Sequence, residues 1–287
     1  MSKIGVIIII FLPFLVFAQK RINITEITHD FFLPPSFIKT HNIIKISGEF
    51  SQKKRNDIIR ESNAKRIYYF NDSGFLQKAE EIKNKDTTFY FFEYDRSNNL
   101  VQSVKKNRHS KLMLNYSYDS LDRITKEQMT QAYYSMKDPT YESTVTEEKQ
   151  FSYQAFLNDR QLKRFTHNSE GSTYREEILY LDSNDRIFKE NSRLLRTSGI
   201  KTTHYYYNSK SLIDSVIIVS NQFERETVKM VNEYDDKNRI LARHFFRNKE
   251  HTAEQQIIYN QDNGNINYIL ERDPLNDFIS ILKLEAY

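Results

Sequence analysis

Thr88-Phe89-Tyr90-Phe91-Phe92-Glu93-Tyr94-Asp95-Arg96-Ser97-Asn98-Asn99-Leu100-Val101 is the stretch whose reading decides the fold. Its first half is aromatic and β-branched, the composition that fits a pleated surface. Asp95, Ser97 and Asn98 follow, residues whose side chains bond nearby backbone and tolerate a left-handed conformation. An aliphatic residue, Leu100, then opens a second run. The reading is a β-hairpin with a short loop, in which Tyr94 and Leu100 face each other as a cross-strand pair.

The same unit recurs at Phe70 to Leu76, Tyr118-Asp119 to Ile124, Tyr207 to Ile213 and Tyr234-Asp235 to Ile240. The interval is about 24 to 27 residues, with one long gap that holds weaker copies. Those copies are Leu181 to Ile187, which lacks the aromatic, and Tyr153 to Leu162, with a longer loop; a further weak copy, Tyr259 to Ile266, with one extra residue, follows the last clean one. A fixed period of this size marks a repeat architecture. Gly74 and Gly264 stand where a positive φ is expected, and Asn98 and Asn238 stand at comparable places.

The fold expected is all-β, an antiparallel up-and-down meander of about 14 to 16 strands. Ile124, Lys126, Gln128 and Thr130 fall on one side of a strand, and Thr125, Glu127, Met129 and Gln131 on the other. Strands polar on both faces predict an extended, twisted, largely single-layer sheet, with curling or partial closure left open. Asn42 to Phe50 reads as the first strand, and Gln19 to His41, with Pro34-Pro35, as a linker or cap. Residues 42–287 form the repeat domain.

The first residues read as a secretory signal. Lys3 precedes a nearly continuous apolar run from Ile4 to Phe17, and Val16-Phe17-Ala18 places cleavage after Ala18. The run is too short for a membrane-spanning helix. The chain has no Cys, which excludes disulfides, thiol chemistry and a cysteine metal site. Basic and acidic residues number 42 and 38 and alternate along the chain, so the basic stripe of a nucleic-acid binder is missing.

The runs Tyr116-Ser117-Tyr118-Asp119-Ser120-Leu121-Asp122-Arg123-Ile124 and Glu233-Tyr234-Asp235-Asp236-Lys237-Asn238-Arg239-Ile240 resemble the YD repeat of RHS proteins. Arg123, Arg186 and Arg239 match the arginine of that repeat. Asp122, Asp185 and Asn238 replace its glycine. The likeness covers about Ile67 to Ile269. It implies a hairpin meander like that of small secreted YD-repeat proteins of the Bacteroidota, and it does not extend to encapsulation or toxicity.

Phe70, Leu76, Tyr94, Asp95, Leu100, Tyr118, Asp119, Ile124, Tyr207, Ile213, Tyr234, Asp235 and Ile240 are the structural anchors of the repeat. The seven histidines show no HxH, HxxxH or HExxH spacing, so the sequence supplies no metal site. Glu80-Glu81, Glu147-Glu148 and Glu176-Glu177 are neighbours on strands and point to opposite faces, so they do not converge as a catalytic dyad. The turn aspartates lack a calcium-loop pattern. Tyr68-Tyr69-Phe70, Phe89 to Phe92 and Tyr205-Tyr206-Tyr207 read as aromatic ladders within a sheet before they read as a ligand platform.

The function expected is a non-catalytic repeat scaffold without cofactor. It is exported to the periplasm, cell surface or medium and binds a protein or a surface glycan. It neither binds nucleic acid nor inserts into the membrane once the signal is cleaved. The alternatives are an outer-membrane β-barrel, opposed by Lys126, Glu127 and Glu147-Glu148-Lys149 on its strands, and a glycan-active enzyme.

Overall fold

In the computed structural model each Tyr-turn unit closes a β-hairpin, and the hairpins join into one sheet. The structure describes residues 33–134, 142–155, 160–221 and 225–287. The expected signal segment, residues 1–18, lies outside them, as does most of the expected linker.

A short helix, α1 (Pro35–Thr40), precedes eighteen strands. The first nine are β1 (Lys45–Lys54), β2 (Arg60–Phe70), β3 (Leu76–Lys83), β4 (Asp86–Tyr94), β5 (Leu100–Lys106), β6 (Ser110–Tyr118), β7 (Ile124–Tyr134), β8 (Glu142–Ala155) and β9 (Gln161–His167). The rest are β10 (Thr173–Leu181), β11 (Ile187–Leu194), β12 (Ile200–Tyr207), β13 (Ile213–Ser220), β14 (Glu226–Tyr234), β15 (Ile240–Arg247), β16 (Glu250–Tyr259), β17 (Ile266–Asp273) and β18 (Phe278–Ala286). Every strand pairs antiparallel with its sequence neighbour, and β1 also pairs with β18, from Ile46 opposite Ala286 to Lys54 opposite Phe278. The meander therefore closes into a barrel.

The count exceeds the expected 14 to 16 strands. The eight turn units join β2 to β17, sixteen strands; the surplus is β1 and β18, which flank the repeats and pair with each other. The first strand begins at Lys45, three residues later than expected, because α1 and its exit turn occupy the preceding positions.

Following the register round the sheet keeps one set of side chains on one face. Gly48 lies opposite Arg66, Arg66 opposite Glu81, Arg164 opposite Glu177, Phe245 opposite Ala253, and Leu284 opposite Gly48. This face carries Ile46, Tyr68, Phe70, Ala79, Tyr90, Ile257, Ile269, Leu282 and Leu284, all buried in one cluster. Only the concave side of a closed sheet lets residues from so many strands meet, so this is the inner wall.

The helix completes that cluster. Leu33, Ile38 and Ile43 join it, with Ile38 only 1% exposed. Pro35 occupies the first turn of α1, where its missing N–H costs no intrahelical bond. Gly74, in the β2–β3 turn, has φ +82°, and a Cβ there would lie 2.1 Å from the Pro35 carbonyl oxygen. Gly264, in the β16–β17 turn, approaches the Phe37 ring. Helix α1 is thus seated against the ring of repeat turns at one end of the barrel.

Candidate functional site: the turn ring and the inner wall

The expected anchors all lie at the capped end. Phe70 pairs with Leu76, Tyr94 with Leu100, Tyr118 with Ile124, Tyr207 with Ile213 and Tyr234 with Ile240. Each pair follows a one-residue register shift, a bulge that increases local twist. Asp95 Oδ1 accepts the N–H groups of Ser97 and Asn99, both at 2.8 Å, and Asp119 Oδ1 those of Leu121 and Arg123, both at 2.9 Å. Asn71, Asp182 and Asn208 cap their turns in the same way. Left-handed residues in this ring of turns include Gly74, Asn98, Asp122, Arg160, Asp185, Ser211, Asn238 and Gly264. Asp122, Asp185 and Asn238, each just before the turn arginine, thus adopt a conformation that glycine takes most readily.

The tyrosine hydroxyls reach beyond their own hairpins. Tyr94 donates to the Leu76 carbonyl at 3.0 Å, Tyr118 to Leu100 at 2.7 Å and Tyr153 to Ile124 at 2.8 Å. Tyr207 donates to Ile187 at 2.8 Å, Tyr234 to Ile213 at 2.7 Å and Tyr259 to Ile240 at 3.0 Å. In every case the acceptor belongs to the aliphatic anchor of an earlier hairpin. The arginines work in the opposite direction. Arg123, Arg186 and Arg239 each bond the aspartate of their own turn. They then lie over the rings of Tyr153, Tyr207 and Tyr259 at 4.5, 4.3 and 4.1 Å, in the hairpins that follow. Phe75 holds the corresponding place in the first hairpin and packs on Tyr94.

Burial by itself would raise the carboxyls of Asp119, Asp182 and Asp235. Bonds from the arginines and the turn N–H groups outweigh it and hold all three below the usual aspartate range. Burial pushes the phenols of Tyr94 and Tyr259 up to about 12.

Adjacent glutamates do separate across the wall. Glu80 pairs with Lys78 outside while Glu81 faces Arg66 inside, and Glu176 pairs with Lys163 outside while Glu177 meets Arg164 inside. Arg164 and Glu177, 2.5 Å apart, are both nearly inaccessible. Burial raises the Glu190 carboxyl, with Arg164 pulling it down and Glu177 pushing it up. The inner wall also carries Lys149 paired with Glu127. The Arg164–Glu177 pair shows the good geometry and mutual charge compensation that a buried ion pair needs. The aromatic runs divide in the same way: Tyr205 is buried inside, and Tyr206 is half exposed outside.

The outer wall carries charge on many strands. Lys126–Glu148, Lys163–Glu176 and Lys65–Glu49 are cross-strand ion pairs on it. It also gathers His244, His251 and Glu254, which sequence spacing did not associate because they meet across the β15–β16 pairing. Among the described residues no helix is long and apolar enough to cross a membrane, which says nothing of a β-barrel.

No family model matches the chain, and no curated protein matches it. Similar solved structures include a porin-like protein from Bacteroides uniformis, 13% identical over 85% of this chain and 96% of that one, with a TM-score of 0.35. A porin-like protein from Bacteroides vulgatus is 10% identical over 72% and 96%, with a TM-score of 0.32. TcdB2-TccC3-TEV is 9% identical over 75% of this chain and 15% of that one, with a TM-score of 0.28. With every TM-score below 0.5, these likenesses carry no argument about this chain. Closure, register and wall chemistry come from the chain's own residues: it is an all-β repeat protein folded as a closed eighteen-stranded barrel.

Proposed function

We propose that the chain is an exported, non-catalytic barrel scaffold of the RHS/YD-repeat kind, which presents its wall or turns to a protein or a cell-surface glycan in the periplasm, at the surface or outside the cell. The observation that carries this reading is the outer wall. Lys126, Glu148, Lys163, Glu176 and Lys189 occupy outward positions within their strands. A basic side chain facing lipid at the bilayer midplane costs roughly 2–4 kcal/mol, so a wall of this composition is suited to water. The turn network supports the scaffold role, because its tyrosine, aspartate and arginine side chains are engaged in holding neighbouring hairpins together. The apolar leader motivates export.

An outer-membrane barrel is the second reading, and closure with an even number of antiparallel strands favours it. Fractionation of producer cells separates the two. The scaffold is expected in the soluble periplasmic, surface-wash or medium fraction without detergent. Retention in membranes washed first with high salt and then with alkaline carbonate would overturn the proposal. Titration of the purified barrel with surface polysaccharide then tests the glycan partner.

A further inference from the structure

We infer that the β15–β16 hairpin carries a site for a divalent transition metal of the zinc type on the outer wall, with His244, His251 and Glu254 as ligands. One ligand atom from each of the three lies within 4.8 Å of the others. The register explains the convergence. His244 lies opposite Glu254, and His251 lies opposite Phe246 after a register shift that brings it beside them. Two imidazoles and a carboxylate form the donor set of many catalytic zinc sites. Tetrahedral ligands at about 2.0–2.1 Å from a zinc ion stand about 3.3–3.4 Å apart. The side chains therefore need to close by at most about 1.5 Å, within reach of the glutamate's broad terminal torsion.

Four further features of the surroundings bear on a ligand here. The Nε2 atom of His251 is buried without a hydrogen-bond partner among the described residues, a costly state that a metal bond would relieve. The Phe246 ring stacks on His251 at 4.9 Å and fixes its plane. Glu233 holds Nε2 of His244 at 3.1 Å, which leaves Nδ1 for the metal. A carboxylate on the far nitrogen is the usual outer support of a metal-bound histidine. Gln256 likewise donates to Glu254 Oε1 at 2.6 Å, leaving the second oxygen for the metal. Glu233 and Glu254 together offset the cationic Arg272, opposite Glu254 in the register, and Lys229, beside Phe246.

Titration of the full-length, metal-stripped protein with Zn2+ and Co2+, followed by calorimetry and by the visible spectrum of Co2+, tests the site. The expected result is one ion bound per chain, with a spectrum of low coordination number and a rise in unfolding temperature. His251→Ala and Glu254→Gln should each weaken binding at least tenfold, and His244→Ala/His251→Ala should abolish it. Glu233→Gln should weaken it about 10- to 100-fold while leaving stoichiometry at one. Should His251→Ala fail to fold, the conservative Glu254→Gln carries the test alone. Absence of binding, or binding equal in wild type and Glu254→Gln, overturns the assignment and would attribute any bound ion to other surface histidines.

Discussion

Gly74→Ala and Gly171→Ala form a matched pair that isolates the role of the cap. Both glycines lie in turns at nearly equal positive φ, +82° and +79°. Placing a Cβ in that region costs about 1–2 kcal/mol at either site. Their surroundings differ. No atom of the described residues lies within 4 Å of a Cβ at 171, whereas at 74 it would stand 2.1 Å from the Pro35 carbonyl oxygen and 3.1 Å from the Lys39 nitrogen. Those atoms are backbone, so relief requires α1 to lift from the turn ring. Lifting it exposes Ile38, and fully exposing one isoleucine side chain costs about 1.5–3 kcal/mol. Gly171→Ala should therefore lose about 1–2 kcal/mol and Gly74→Ala about 3–5 kcal/mol. Urea unfolding with the slopes compared gives both values, and limited proteolysis should cut Gly74→Ala first between residues 33 and 44. If the two variants are destabilised equally, or α1 stays protected in Gly74→Ala, the inference that the turn seats the cap is wrong.

Tyr118→Phe removes one inter-hairpin clasp and leaves the Leu100 carbonyl without that donor, so it should cost about 1–2 kcal/mol in urea unfolding. Arg239→Met loses both the Asp235 bond and the stacking on Tyr259, and should cost about 1–1.5 kcal/mol, less at high salt. Arg164→Met strands the Glu177 carboxylate inside the wall and should cost about 3–5 kcal/mol, with Arg164→Met/Glu177→Leu recovering most of it. Acid sensitivity follows from Asp119, Asp182 and Asp235, whose folded pKa values lie below the unfolded one. Their contribution is complete above about pH 4 and is lost as pH falls through the folded values. Replacing all three with Asn, the residue that Asn71 and Asn208 already supply in sister turns, should flatten that limb of the stability profile. At the alkaline end the sign reverses. Tyr94 and Tyr259, raised to about 12, favour the fold below about pH 10, and that support disappears between about pH 10 and 12, readable by circular dichroism.

The hairpins were legible because their signal is local. The Tyr118–Ile124 spacing, Asp119 and the left-handed Asp122 all lie within one turn. Closure was not legible, because the β1–β18 pairing joins Ile46 to Ala286 and no short pattern specifies it. The tyrosine clasp escaped for a related reason: the acceptor of Tyr94 is the Leu76 carbonyl, a backbone group with no side-chain signature. Two-sided polarity was read correctly at Lys126 and Glu127, which pair with Glu148 outside and Lys149 inside. The His244, His251 and Glu254 group was invisible to a search for helical or strand spacing because cross-strand register, together with a register shift beside His251, brings it together.

The β1–β18 seam makes the barrel cyclic in its connectivity. Lys45 and Tyr287 exchange backbone hydrogen bonds in both directions, so the two ends of the strand array lie side by side. Seen from the sheet, this junction is one more antiparallel boundary, equivalent to the seventeen that are bridged by chain. Linking the ends and reopening the chain at an exposed turn of the uncapped end, such as Asn168 to Ser172, preserves every strand pair while changing the order in which the strands are synthesised. In the natural order the ring stays open until β18 emerges. Until then β1 and β17 each present an unpaired edge, which gives the last strand to be made an outsized share in keeping the protein from associating with itself.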